Sequence, residues 1–82
     1  MSTIGKLIER FLSKPRDFSY KELKRVLLHF GYYEKQCSGS RVIFYNNEID
    51  HSIKLHKPHP RPQLKRYQLE LIIGELSKKN LI

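Results

Sequence analysis

The apolar pattern of this chain changes period twice. Ile4, Leu7, Ile8, Phe11 and Leu12 recur at i, i+3, i+4, i+7 and i+8, and Leu23, Val26, Leu27 and Phe30 repeat that helical spacing. From Tyr32 to Lys57 the period falls toward 2, aromatic and β-branched residues become frequent, and Ser38-Gly39 and Asn46-Asn47 supply turns. Leu69, Ile72, Ile73 and Leu76 then restore the helical stripe. A stretch that alternates in this way suits a strand and not a helix, because successive strand side chains point to opposite faces. The chain must therefore fold as an antiparallel sheet with amphipathic helices before and after it in sequence.

The boundaries follow from local chemistry. Helix one is predicted over about residues 3–13 and stops at Lys14-Pro15-Arg16-Asp17, since Pro15 has no backbone N–H and biases Lys14 away from helical angles. Ser19 and Glu22 form a capping box that opens helix two, and Gly31 supplies the left-handed residue that ends it. Three antiparallel strands are predicted at residues 32–37, 40–45 and 52–57. In the second, Val42 and Phe44 oppose Arg41, Ile43 and Tyr45; in the third, Ile53 and Leu55 oppose Lys54 and His56. The faces with fewer charges should meet the helices. Three of the four prolines crowd into residues 58–62, a stiff extended connector into helix three at about residues 63–78. Lys65 and Arg66 fall in its first turn, where each cation opposes the helix dipole by a few tenths of a kcal/mol, a local misfit of the kind that marks ligand sites.

The result is an α+β fold with two layers, an αβββα core over about residues 19–78 preceded by an additional N-terminal helix. The 82 residues are expected to form a single domain, 1–82, that buries only roughly 60–65% of its unfolded surface, too little for a deep substrate cleft. Sixteen Lys and Arg against eight Asp and Glu give a formal net charge of +8, which makes a polyanion the expected partner. No apolar run approaches the ~20 residues that span a bilayer, and Met1-Ser2-Thr3 opens no signal peptide, so a cytoplasmic protein with no membrane partner is expected. Cys37 is the only cysteine, which excludes an internal disulfide.

The outward sheet face should present Arg41, Ile43, Tyr45, Lys54 and His56. Lys54, Lys57, Arg61, Lys65 and Arg66 lie within thirteen positions, a concentration that favours phosphate contact over a merely solvated face. Histidine is the side chain that ordinarily exchanges protons near neutral pH, which makes His56 and His59 the candidates for acid–base work. The plainer reading of both is exposed polar residues at a loop mouth. A metal site is not expected, because zinc needs three or four converging ligands and His51 and His56 have opposite strand parity. Cys37, near Lys35 and Arg41, reads as a small apolar strand residue, and His29 as a surface residue of helix two.

At this point the sequence resembles the HicA family, also called the YcfA-like mRNA interferases, toxins of bacterial toxin–antitoxin pairs. Phe30-Gly31-Tyr32 is similar to the glycine and aromatic that end the family's core helix, and Gly39-Ser40-Arg41-Val42-Ile43-Phe44 to its Gly-Ser-His-x-x-Phe strand. Leu55-His56-Lys57-Pro58-His59-Pro60 and Leu64-Lys65-Arg66-Tyr67 resemble the family's elbow and the start of its last helix. The likeness covers about residues 19–76, and Leu12-Ser13-Lys14-Pro15-Arg16-Asp17-Phe18 looks like the lead-in of longer members.

The resemblance implies a double-stranded-RNA-binding-domain-like fold, cleavage of mRNA without a cofactor or metal, and inhibition by a HicB-like antitoxin. It also places Arg41 where the family keeps its catalytic histidine. Arginine stays charged and cannot carry a proton near neutral pH, although it can hold phosphate or stabilise a developing negative charge. Three functions therefore stay open: a ribonuclease whose proton transfer has moved to His59 or His56, a non-catalytic RNA-binding module, and an inactive toxin-like protein that meets an antitoxin through Ile43 and Tyr45. The first two predict RNA contacts from Arg41, Lys54, Lys57, Arg61, Lys65 and Arg66.

Overall fold

The computed structural model describes residues 3–58 and 60–82, in the order α1 (Ile4–Leu12), α2 (Tyr20–His29), β1 (Tyr33–Gln36), β2 (Arg41–Asn46), β3 (His51–His56) and α3 (Arg66–Lys78). The strands form one antiparallel sheet in the order β1-β2-β3. This is the α+β arrangement expected, an αβββα core with a further helix ahead of it.

Each helix starts and stops for a legible reason. Thr3 caps α1 by accepting the Lys6 N–H at 3.3 Å. At α2 the Ser19–Glu22 capping box is complete: the Glu22 carboxylate accepts the Ser19 N–H at 3.0 Å, and Ser19 Oγ accepts the Glu22 N–H at 3.2 Å. The same carboxylate takes a hydrogen bond from Arg10 of α1, which locks the two helices together at their ends. Gly31, at φ 94°, closes α2 with two backbone bonds, Gly31 N–H to Leu28 O and Tyr32 N–H to Leu27 O. A Cβ there would also lie 3.1 Å from Asn46 Nδ2, a tight contact that adds to the backbone preference for glycine.

The sheet shows the predicted parity. Val42, Phe44, Ile53 and Leu55 are buried toward the helices, where they meet Phe11, Phe18, Leu23, Val26, Leu27, Leu69, Ile72 and Leu76. Arg41, Lys54 and His56 are exposed on the opposite face. Asn46, read in the sequence as a turn signal, is buried at the end of β2. Its amide donates to Phe30 O at 3.0 Å and accepts from the Glu48 N–H at 3.0 Å, tying the β2–β3 hairpin to the end of α2.

Every strand is shifted or shortened by a residue at its ends against expectation, which leaves Cys37 just past β1, and helix three starts late. Tyr32 is not in the first strand but buried before it, where its ring faces His51 edge-on at 5.8 Å. The third strand begins one residue early, at His51. Helix three begins at Arg66 and not near residue 63, because residues 62–64 are used otherwise. Tyr20 N–H bonds to Pro62 O at 2.9 Å and Leu64 N–H to Phe18 O at 2.8 Å, an isolated antiparallel bridge centred on Ser19 and Gln63. Leu64 enters the core beside it. The linker before α2 and the linker before α3 are thereby held side by side.

Candidate nucleic-acid interface

The β2–β3 register sets Arg41 opposite His56, Ile43 opposite Lys54 and Tyr45 opposite Ser52. Directly opposed residues of an antiparallel pair hold their Cβ atoms about 4.5–5.5 Å apart, so the guanidinium of Arg41 and the imidazole of His56 share one patch of the outward face. Ser38 Oγ accepts a hydrogen bond from Arg41 at 3.1 Å, and Ser40 Oγ lies 3.5 Å from His56 Nδ1, at the outer limit of such a bond. The backbone beneath is braced. Lys57 N–H bonds to Ser40 O at 2.8 Å, and Gln68 Nε2 donates to His56 O at 3.1 Å.

Gln68 is a positioning residue that the sequence reading missed. It is buried on the first turn of α3, and its side-chain oxygen accepts the Lys65 N–H at 3.0 Å while its amide holds the end of β3. One side chain thus fixes both ends of the proline-rich elbow. The available signal was its spacing: Gln68 stands three residues after Lys65, the N-cap, where a capping-box glutamine belongs.

The cations expected at the elbow separate into two groups. Arg41 and Lys54 lie on the outward sheet face. Lys57 turns to the helix side, where its ammonium donates to Gln36 Oε1 at 2.9 Å and sits 5.7 Å from the centroid of the Tyr20 ring. Arg61, Lys65 and Arg66 are exposed along one wall of an open groove that Lys57 and His56 also line. His56 therefore belongs to both groups. His59 lies outside the described residues.

The groove's other wall was not anticipated. It is the α1–α2 turn, which contributes Lys14 and Arg16. Among the described residues six Lys and Arg line the groove against a single acid, Asp17, which Arg10 pairs at 2.9 Å. Among the described residues Lys14, Arg16, Arg61 and Lys65 make no ion pair. Tyr67, 65% exposed, adds an aromatic surface to the lining. Cations with an accessible ring are the chemistry that holds a nucleic-acid strand, phosphate to cation and base to ring.

Ile43 and Tyr45 are half-buried. Tyr45 packs edge-on against Tyr33 of β1 at 5.8 Å and donates its hydroxyl to Asp50 at 2.8 Å; this bond, with the Asp50 charge, holds the phenol above its ordinary pKa. Tyr33, Tyr45 and Ile43 make an apolar strip beside the Arg41–His56 patch.

The other predicted polar residues lie elsewhere. His51 is on the inner side of β3, opposite in parity to His56, with Nδ1 2.6 Å from the Tyr32 hydroxyl and Nε2 3.0 Å from Glu75. It cannot join His56 around one ion. Cys37 is half-buried just beyond β1, and His29 is exposed at the end of α2, edge-on to Phe30 at 5.3 Å.

A family model described as the HicA toxin of bacterial toxin–antitoxin systems matches residues 20–77, spanning α2, the whole sheet and most of α3. No curated protein and no solved structure matches the chain. The matched segment contains the Arg41–His56 patch, the elbow and the Arg61–Arg66 wall of the groove, while α1 and the Lys14–Arg16 wall precede it. With more than half its length matched in the order of elements expected, the chain belongs to the HicA toxin family.

Proposed function

We propose that this protein is an endoribonuclease toxin that cuts mRNA in the cytoplasm, with proton transfer carried by His56 rather than by the residue at position 41. The observation behind this reading is the cross-strand placement of Arg41 against His56 on the outward sheet face. The histidine lost from β2 is matched by one on the adjacent strand, pointing the same way.

The chemistry needs no other group. The ribose 2′-hydroxyl beside the scissile phosphate gives its proton to the His56 imidazole as its oxygen bonds to phosphorus. The bond from phosphorus to the 5′ oxygen of the next nucleotide breaks, and that oxygen receives a proton from the imidazolium. A 2′,3′-cyclic phosphate and a 5′-hydroxyl remain. Arg41 stabilises the negative charge that builds on the phosphoryl oxygens, a role suited to a permanent cation. Lys54 flanks the patch on the sheet, and Arg61, Lys65 and Arg66 hold phosphates beyond the cut, while Lys57, held by Gln36 on the helix side, is left out of this grip.

Induced expression in bacteria should arrest growth and leave mRNA ends carrying cyclic phosphates, and His56→Ala should abolish both. His59→Ala, made in parallel, tests the other elbow histidine. Cleavage that survives His56→Ala but not His59→Ala would transfer the proton role to His59, and cleavage that survives both would remove the elbow histidines from the mechanism.

The partner in this reading is a HicB-type antitoxin that covers the sheet face through Ile43 and Tyr45, the half-exposed apolar strip beside the reactive patch. Ile43→Asp with Tyr45→Asp should separate toxin from antitoxin on size exclusion. A complex that persists would place the interface elsewhere.

A further inference from the structure

The groove has two walls, and only one lies within the segment that carries the family match. The other is the α1–α2 turn, whose backbone is held in an unusual state. Lys14 sits at φ 54°, in the left-handed region. The corresponding residue after α2 is Gly31 at φ 94°, and after α3 it is Asn80 at φ 58°. Glycine and asparagine tolerate that region; lysine gains nothing from it. Among the described residues the remaining cases of positive φ are Gly39 and Asp50, again residue types that accept it. Lys14 alone keeps a strained backbone while placing a cation on the groove.

The turn is also rigidly placed. Pro15 fixes the next φ, and Phe18, fully buried, anchors the far end of the turn, its ring 5.5 Å from that of Phe11. Arg10 pairs with both Asp17 and Glu22 and lies 5.5 Å over the Phe18 ring, so the acid in the groove lining already has a cationic partner. Phe18 O accepts the Leu64 N–H at 2.8 Å, which joins the two walls directly through backbone. Lys14 and Arg16 make no ion pair among the described residues, and line the same groove as Arg61, Lys65 and Arg66.

We propose that the α1–α2 turn is a second phosphate-binding limb, in which Lys14 and Arg16 grip the backbone of a single-stranded RNA segment opposite Arg61, Lys65 and Arg66. Tyr67, beside Arg66 in the same lining, offers a base-stacking surface, which favours a single strand over a duplex. The inference rests on the RNA reading of the site, and it makes α1 and its turn part of substrate binding.

The test measures binding of a fluorescently labelled single-stranded RNA of about 20 nucleotides, with His56→Ala as the background to prevent cleavage, over roughly 50–200 mM salt. Lys14→Gln with Arg16→Gln should weaken binding roughly tenfold and reduce the slope of log K against log salt by about 1.4, two phosphate contacts on a single strand. Lys14→Gly separates contact from fold, because it relieves the left-handed strain: the melting temperature should rise while affinity falls. An unchanged slope in the double variant, or a Lys14→Gly protein that melts higher and binds equally well, would overturn the second limb and leave the RNA reading standing. No salt-dependent RNA binding by the parent protein would overturn both.

Discussion

At the residue scale the molecule uses its polar side chains in two distinct ways. On the outward face Arg41 and His56 are exposed and lightly held. On the inner side Tyr32, His51 and Glu75 form a continuous hydrogen-bonded line, and Tyr20, Glu34 and Lys24 form another. The hydrogen bond from His51, reinforced by Lys78 against the opposing effect of burial, holds the Glu75 carboxyl below its usual 4.5. The Tyr20 hydroxyl does the same for Glu34, aided by Gln36 and Lys24, while burial and the Glu34 contact push the Tyr20 phenol up.

A carboxyl whose folded pKa lies below its unfolded one binds more protons when unfolded, so its stabilisation is complete above the unfolded value and fades as pH falls through it. The urea midpoint should therefore drop as pH falls below about 4.5, and Glu34→Gln with Glu75→Gln should flatten that decline while lowering stability at pH 7. A double variant with the parent's acid limb would contradict the assignment. The parity of His51 was legible in the sequence, but its partner Glu75 was not. A residue on another element leaves no local signal.

At the element scale the period of the apolar residues carried almost everything. It separated Val42, Phe44, Ile53 and Leu55 from Arg41, Ile43, Tyr45, Lys54 and His56 correctly, since a buried face forces strict alternation. The capping box and Gly31 placed both ends of α2 for similarly local reasons. The start of α3 was misread because residues 62–64 are recruited by the Phe18–Tyr20 linker, a pairing between segments remote in sequence.

Gln68 belongs to this scale, since it joins β3 to α3 and fixes the elbow between them. Gln68→Ala should cost about 1–3 kcal/mol in urea unfolding, through two lost hydrogen bonds and a Lys65 N–H left without its partner. Gln63→Ala, at the bridge with Ser19 and with its side chain exposed, should stay within about 0.5 kcal/mol. Equal effects from the two would show that the elbow is not held by the Gln68 amide.

At the scale of the whole molecule the charge is sorted. Much of the formal +8 gathers where two linkers run side by side, so that among the described residues a groove with six Lys and Arg and one ion-paired acid opens beside the Arg41–His56 patch. Half of this was legible: Arg61, Lys65 and Arg66 cluster in the sequence. Lys14 and Arg16 do not, since they reach the groove only because Phe18 and Leu64 bring the linkers together. Arg41 lies on the outward face and not among the buried residues of β2, so its charge shapes the chemistry of that face and leaves the core intact.

In the proposed mechanism the proton carrier is His56, one strand over from Arg41. The most direct measurement is the rate at which purified protein cleaves a labelled RNA, compared between the parent, His56→Ala, and His56→Ala combined with Arg41→His. His56→Ala should lower the rate by about 10²–10⁴ while RNA binding persists, and returning a histidine to position 41 should recover part of it. Cleavage by His56→Ala at the parent's rate would contradict the mechanism.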